Sequence, residues 1–560
     1  EASRLNWRVS HFGLEFGDID LLLNAKANLR EIKADLNNKY PYLKGNLDWV
    51  LHPENYYFHD GLTFGQRTTF LRVSSLPAGC YFSVAGKAIF GKSQSNSALL
   101  QAINTPSAQY LISIRRESLE MNPQYQEGSV ARMPWPILDY EIQSKLSALG
   151  EENSRLVSTV FSFDETTHRF SGVVDSHAYL TARQNAQDEV LKSEAEADNI
   201  MSRLLGLSEM DNKYIRSEIL PRWDGRSVAN WYEYSAGADE ISFAVGAIFG
   251  RWDIRFSTGM SKPEMLVDPF APLPVCAPGM LTNSHGLPAS EESITSDYAI
   301  PICWDGILVV DEGNKADIVN RVRATLRIVW HERADEVEMS SCSALRIKDL
   351  RDYFESATGF FADHLKRYTK SSRKAPIYWP LSTASGSYTL WVYYPSLNNQ
   401  TLFTAVNDFL DGPNGKLTQI SRECAELRIK GSGRSRDEEK QYETLQTFEQ
   451  ELTDLRDTLL KIAPTYQPNH DDGVQITAAP LWPLFRHKPW QKVLKDTWTK
   501  LEKGDYDWAH LAMAYWPERV REKCKTNKSL AIAHGLEDLY VEPEAAPKKT
   551  RGKKQVGTNA

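Results

Sequence analysis

The stretch that first invites a chemical reading is Asn122-Pro123-Gln124-Tyr125. In the tetrapeptide Asn-Pro-Pro-Tyr, which serves methyl transfer to the adenine amino group, polar groups accept the amino protons while the aromatic ring stacks on a base extruded from the duplex. The stretch here differs at one position. It follows Glu117-Ser118-Leu119-Glu120-Met121 rather than an apolar strand that would deliver it to a sheet edge, and no glycine-rich cofactor turn lies upstream. An Asn-Pro turn is the plainer reading. Gly431-Ser432-Gly433 lacks the Gly-Lys-Ser/Thr that a phosphate loop needs. His470-Asp471-Asp472-Gly473 gathers metal-ligand types, but adjacent residues cannot all face one ion and Asp-Gly favours a turn, so a solvated turn is expected. There is no Gly-x-Ser-x-Gly and no His-Glu-x-x-His. The six cysteines, Cys80, Cys276, Cys303, Cys342, Cys424 and Cys524, form no CxxC pair and read as small core residues. The expectation is a chain without a complete active site, with no catalytic, cofactor-binding or metal-binding residue of its own.

Contact with nucleic acid is a different matter. Between Asp60 and Trp135, seven cationic residues (Arg67, Arg72, Lys87, Lys92, Arg115, Arg116, Arg132) stand against four acidic ones (Asp60, Glu117, Glu120, Glu127), inside a chain whose formal net charge is -8. The run Gly61-Leu62-Thr63-Phe64-Gly65-Gln66-Arg67-Thr68-Thr69 sets hydroxyl, amide and guanidinium groups around two glycines. As a loop it could bring Thr63, Thr68 and Thr69 to phosphates and present Gln66 to adenine and Arg67 to guanine. Composition alone equally fits a surface turn with a solvated arginine. Arg72, Lys87 and Lys92 suit phosphate contacts or ordinary loop positions, and Arg115-Arg116 suits a helix C-terminus. The aromatic group Trp379, Tyr388, Trp391, Tyr393 and Tyr394 reads as core ahead of a base-stacking platform.

The elements that would position these residues predict a mixed α/β (α+β) fold of several domains. Residues 1–137 mix β-rich runs (69–73, 80–84) with helical stretches (21–37, 97–113). Residues 138–215 read as a helical connector and 216–412 as a second mixed domain of short aromatic strands, a Pro-rich stretch at 268–278 and helices near 315–330 and 347–368. Residues 388–394 predict a strand. In 413–465, Tyr442, Leu445, Phe448, Leu452, Leu455, Leu459 and Ile462 recur at spacings of three and four, the seam of an antiparallel helical hairpin. Residues 466–545 read as a helical, tryptophan-rich block, and the polar, basic tail 546–560 is expected to be disordered.

The 560 residues, 41% hydrophobic and 11% aromatic, are ample for several cores and exclude a disordered or fibrous chain. No apolar run reaches the roughly 18 to 20 residues of a membrane helix and the first thirty residues lack an export signal, so a cytoplasmic protein without membrane contact is expected. A start at Glu1-Ala2-Ser3 reads as the C-terminal part of something larger.

Several stretches carry a resemblance. In the first domain they are 58–64 (Phe-His-Asp-Gly-Leu-Thr-Phe), 76–80 (Leu-Pro-Ala-Gly-Cys) and 126–136 (Gln-Glu-Gly-Ser-Val-Ala-Arg-Met-Pro-Trp-Pro); further on they are 241–252, 373–382, 469–474 with 479–482, 504–512 and 515–520. Together they resemble the large PglX-like adenine-specific DNA methyltransferases of the BREX and DISARM phage-defence systems, themselves related to type IIG restriction-modification enzymes. The resemblance implies N6-adenine methylation of host DNA at a non-palindromic site, with this chain as the target-recognition portion on double-stranded DNA. It also implies that S-adenosylmethionine belongs to the N-terminal methyltransferase domain of the same protein, with other phage-defence proteins as further partners. Two other readings remain open: the recognition half of a type IIG restriction endonuclease, and an interaction platform of the defence complex.

Overall fold

The computed structural model describes residues 2–5, 22–24, 26–48, 50–51, 54–65, 71, 73–82, 86–91, 94–114, 124–133, 135–173, 176–219, 237–264, 268–370 and 373–542. Helix and sheet are mixed, with helices carrying most of the chain and the strands short.

The N-terminal part holds two three-stranded sheets. In one, β1 (Ala2–Leu5) lies between β2 (Leu22–Asn24), antiparallel to it, and β5 (Cys80–Tyr81), parallel to it; α1 (Lys26–Lys39) follows β2. In the other, β3 (Gly61–Gly65) is central, antiparallel to both β4 (Val73–Leu76) and β6 (Gly86–Ile89). Residues 61–65 are therefore not loop: the two glycines bracket a buried strand. A Cβ on Gly61 would stand 2.7 Å from the Ile89 carbonyl oxygen, so close strand packing rather than turn geometry requires glycine there. Leu62, Phe64, Leu71 and Val73 share one core with Leu100, Ile103, Ile112, Tyr125, Val130 and Met133.

The single helix expected over 97–113 is two, α2 (Asn96–Ile103) and α3 (Pro106–Ile114), because Pro106 cannot continue α2 but suits the first turn of α3. After the short α4 (Glu127–Ala131) come α5 (Tyr140–Phe161), α6 (Ser176–Leu204) and α7 (Glu209–Ile219). These helices pack on the first core. Asp198 of α6 accepts from the Ser107 amide and hydroxyl at 2.9 and 2.7 Å and pairs with Arg216 at 2.9 Å, tying α3, α6 and α7 together. Helix α5 lies so close to α2 that a Cβ on Gly150 would be 2.7 Å from the Ser97 carbonyl oxygen.

Next, α8 (Ala238–Ile248) is buried at every residue. From sequence no helix is named here within the second mixed domain; a fully enclosed helix loses its amphipathic period, and an apolar run then reads alike as strand or helix. After α9 (Ile254–Ser257), the Phe270 carbonyl accepts from the Ala78 amide at 2.9 Å, linking back to the first sheets. Then come β7 (Ile307–Val309), α10 (Ile318–Trp330), α11 (Ala334–Leu345), α12 (Leu350–Glu355), α13 (Phe360–Arg367), β8 (Thr369–Lys370), β9 (Arg373–Lys374), β10 (Tyr378–Ser382), β11 (Thr389–Tyr393) and α14 (Thr401–Phe409). The sheet order is β10-β11-β7, all antiparallel. Trp379, Tyr388 and Trp391 are fully buried in it, and Tyr393 and Tyr394 nearly so.

Helices α15 (Lys416–Lys430) and α16 (Arg436–Ile462) pack as a pair, with Leu417, Ile420, Cys424 and Leu427 buried on one and Tyr442, Leu452, Leu455 and Leu459 on the other. Ser435 and Glu438 cap α16 reciprocally. The last elements are α17 (Val474–Ala478), α18 (Lys488–Lys503), α19 (His510–Tyr515), α20 (Pro517–Cys524) and α21 (Lys528–Ala533). One hydrophobic cluster runs from Ile241 to Ala531, so the β10-β11-β7 sheet, the hairpin and the C-terminal helices share a core. Among the described residues no helix is long and apolar enough to cross a membrane. The tail 546–560 lies outside the described residues.

Gly150→Ala tests the α2–α5 approach with opposed signs. Helix propensity alone favours alanine by about 1 kcal/mol; overpacking against a backbone carbonyl costs about 1–3 kcal/mol. The expected outcome is net destabilisation, read as a lower urea midpoint at unchanged slope.

Candidate nucleic-acid interface

Strand register decides what the β4-β3-β6 sheet offers. Phe64 pairs with Val73 and with Lys87, and Gly65 pairs with Gly86, so the chain leaves β3, enters β4 and enters β6 at one end of the sheet. Of the residues singled out from sequence, Gln66, Arg67, Thr68, Thr69, Arg72 and Lys92 lie outside the described residues, as do Arg115 and Arg116.

The two described candidates occupy other roles. Thr63 sits mid-strand in β3 at 0% exposure. Lys87 is 6% exposed, with its Nζ 2.6 Å from Glu127 Oε1. It fastens β6 to α4, inside the 126–136 motif, instead of standing free for a phosphate. Val130 and Met133 of that motif fill the first core, and Trp135 packs against both this core and the α5–α6 layer. Tyr125 is 2% exposed in the same core, which leaves its ring no face for an extruded base.

Sequence reasoning missed the groups that hold the foot of the 66–72 connection. Asn104, buried, accepts from the Val73 amide at 3.2 Å and donates to the Val73 carbonyl at 2.9 Å. Gln109, also buried, donates to the Leu71 carbonyl at 2.7 Å and to the Ile103 carbonyl at 2.8 Å. Two helix-borne amides thus clamp the backbone on both sides of Arg72. Their signal in the sequence is an amide among the apolar residues of Ala98-Leu99-Leu100-Gln101-Ala102-Ile103-Asn104 and of Ala108-Gln109-Tyr110-Leu111-Ile112. Buried amides in such company need partners, and backbone is the commonest one.

Two of the later segments singled out from sequence, 241–252 and 373–382, meet in a buried polar centre. Glu165, in the turn after α5, accepts from Ser242 Oγ at 2.6 Å and lies 3.5 Å from the Arg367 guanidinium, which also pairs with Asp239. Arg251 donates to Tyr368 Oη and lies over the Trp252 ring at 4.1 Å. Lys370 donates to the Thr166 carbonyl at 3.0 Å. A Cβ on Gly246 would stand 2.3 Å from the Trp252 ring, so glycine lets that ring lie against α8. His364 Nε2 accepts from the amides of Ile377 and Tyr378 at 2.8 and 3.2 Å, which requires a neutral ring. Burial, helped by Arg251 and Arg367, holds its pKa well below the usual histidine value. Burial likewise raises the Tyr378 phenol and pushes Tyr393 up to about 12, so both stay neutral.

The segments between 469 and 520 are also fastenings. Asp472 sits in a turn, as expected of Asp-Asp-Gly, but it is buried rather than solvated. It accepts from the His510 and Leu511 amides at 2.7 and 2.8 Å, capping α19. Asp507, also buried, pairs with Arg519 at 2.7 Å and Lys523 at 2.5 Å. Among the described residues no group of three or more His, Cys, Asp or Glu is arranged to hold a metal ion. A cleft of about 450 Å³ lies between α1 and α21, lined by Arg30, Lys33, Asn37, Asn38, Lys528 and Tyr540.

No protein-family model matches the chain, and a search of curated proteins finds no match.

Because the folded-state pKa of His364 is depressed, the unfolded chain takes up its proton first as pH falls. Its contribution is complete above about pH 6.5 and is lost progressively below that. His364→Phe leaves two buried amides unpaired, at about 1–3 kcal/mol each. The variant is expected to be the less stable at pH 7.5, with the gap to wild type narrowing by pH 5.5 in paired thermal melts. A gap that stays constant would overturn the neutral acceptor role.

Proposed function

We propose that this chain recognises and clamps a target in double-stranded DNA for a site-specific N6-adenine methyltransferase that marks host DNA in phage defence. In this reading the S-adenosylmethionine site and the catalytic residues belong to an N-terminal domain of the same protein. Residues 1–137 are the target-recognition domain, 138–215 a helical connector, 216–412 a second mixed α/β domain, 413–465 a helical hairpin and 466–545 a C-terminal helical block.

The observation that carries the reading is the 66–72 connection and its footing. Gln66-Arg67-Thr68-Thr69-Phe70-Leu71-Arg72 holds two guanidiniums, an amide and two hydroxyls with no carboxylate. It joins two buried, hydrogen-bonded strands, and its downstream foot is gripped by Asn104 and Gln109. Base readout needs side chains held to a fraction of an ångström, and a short polar connection on a clamped sheet meets that need better than a long free loop.

Selection from a pool of random duplexes tests this. Wild type is expected to enrich a non-palindromic, adenine-containing motif. Arg67→Ala should relax the preference at one position, with a discrimination loss of about 1–3 kcal/mol, the worth of one bidentate base contact. A wild-type chain that enriches no sequence would remove the recognition role.

A further inference from the structure

Helix α18 separates charge from apolar surface unusually cleanly. Trp490, Leu494, Thr497 and Leu501 face the core, fully or nearly fully buried. At 3.6 residues per turn, Lys488, Lys492, Lys495, Thr499 and Lys503 fall within a sector of about 80° on the opposite side. The four lysines are exposed. Asp496 and Glu502 flank the row, yet among the described residues none of the four lysines has a carboxylate within ion-pair distance. The Lys495 ammonium rests over the Trp482 ring at 5.0 Å and Lys488 donates to Gln491 at 3.2 Å, contacts that orient two of them without neutralising either.

The setting sharpens the point. From Arg486 to Lys528 there are eleven lysines and arginines against six acidic residues, whereas α16 carries eight acidic residues against four basic ones, in a chain of net charge -8. Elsewhere Lys430 pairs with Glu438 and Lys192 with Glu189. A row of four without such a partner keeps an unbalanced field, and a regularly charged polyanion complements it.

We propose that the exposed face of α18 binds the sugar-phosphate backbone of duplex DNA, as a sequence-independent clamp in the C-terminal block. This rests on the DNA-recognition reading above and names the surface that does the holding. The row is about 22 Å long at 1.5 Å per residue, and its lysines recur at steps of about 4 to 12 Å. A DNA strand offers a phosphate every 3.4 Å of axis, so the row spans several and reaches three or four of them. Thr499 adds a hydroxyl to the same line. No base edge is read by such a row, so the contact adds affinity and salt dependence without adding sequence preference.

The test uses the full chain, comparing wild type with the triple variant Lys492→Ala, Lys495→Ala, Lys503→Ala, and with a control, Lys440→Ala, Lys461→Ala, on acidic α16. Each is titrated with random-sequence duplex DNA over rising salt and, separately, with poly-glutamate. Because all five side chains are on exposed helix faces, unchanged far-UV circular dichroism and thermal midpoints are expected to confirm folding. Each lost phosphate contact lowers the slope of log K against log salt by about 0.9, so the triple variant should lose about 2 to 3 from that slope, equally on all sequences. The control should match wild type. An unchanged slope in the triple variant would overturn the clamp while leaving recognition through residues 66–72 standing. A reduced slope with no sequence preference in wild type would uphold the clamp and overturn the recognition reading. Loss of poly-glutamate binding with DNA binding intact would assign the face to an acidic protein partner and overturn the DNA clamp.

Discussion

The buried charge balance at Glu165, Asp239, Arg251 and Arg367 is the constraint on which the join between the two halves of the chain depends. Two carboxylates and two guanidiniums lie in or against the protein interior, and each would cost several kcal/mol to strand there alone. They come from four places: the turn after α5, the first turn of α8, the residues just after α8, and the end of α13. Arg367 pairs with both carboxylates while Arg251 donates to Tyr368 Oη, and these contacts form together only when the four segments stand in one relative position. Lys370 reaching the Thr166 carbonyl and Phe270 accepting from the Ala78 amide add two further ties between the N-terminal and C-terminal parts.

That constraint gives a physical meaning to segments that sequence alone singled out without a role. Gly246 is small because Trp252 lies against it, and Trp252 lies there partly because Arg251 stacks on its ring. Tyr378 of β10 and His364 of α13 enclose the same region, with the histidine ring capping the start of β10. In the C-terminal block Asp472 and Asp507 do comparable work, one capping α19 and the other drawing Arg519 and Lys523 onto the end of α18. These glycines, tryptophans and aspartates serve packing and charge pairing. Residues free to meet a partner lie outside such knots, on faces where charge is left unbalanced.

The sequence was legible where a period survives partial exposure. The α16 seam shows this: Tyr442, Leu452, Leu455 and Leu459 are buried, with Leu445, Phe448 and Ile462 half-buried beside them, because one face of that helix meets water and marks the other. Helix α8 carries no such mark because no face of it meets water. Residues 61–65 were misread for a related reason. Glycines at both ends of a short apolar run look like a loop, and only the neighbouring strand shows that Gly61 avoids the Ile89 carbonyl. Thr63 and Lys87 had the right chemistry for phosphate, but pleat and register put one inside the sheet and the other on Glu127. Asn104 and Gln109 were overlooked because a buried amide becomes informative only once the backbone groups it must satisfy are known.

Net charge was the least informative number and charge placement among the most informative. A value of -8 over 560 residues argues against a uniformly basic coat, yet the acidic residues concentrate on helices such as α16 while α18 turns unpaired lysines outward. Both helices are held in one core, through Leu452, Leu455 and Leu459 on α16 and Trp490, Leu494 and Leu501 on α18, so the two fields are fixed relative to each other. A polyanion approaching such a surface is repelled from one helix and drawn to the other, which orients it before any short-range contact forms. On the proposed reading, a rigid core with segregated surface charge would steer DNA without the chain as a whole being basic.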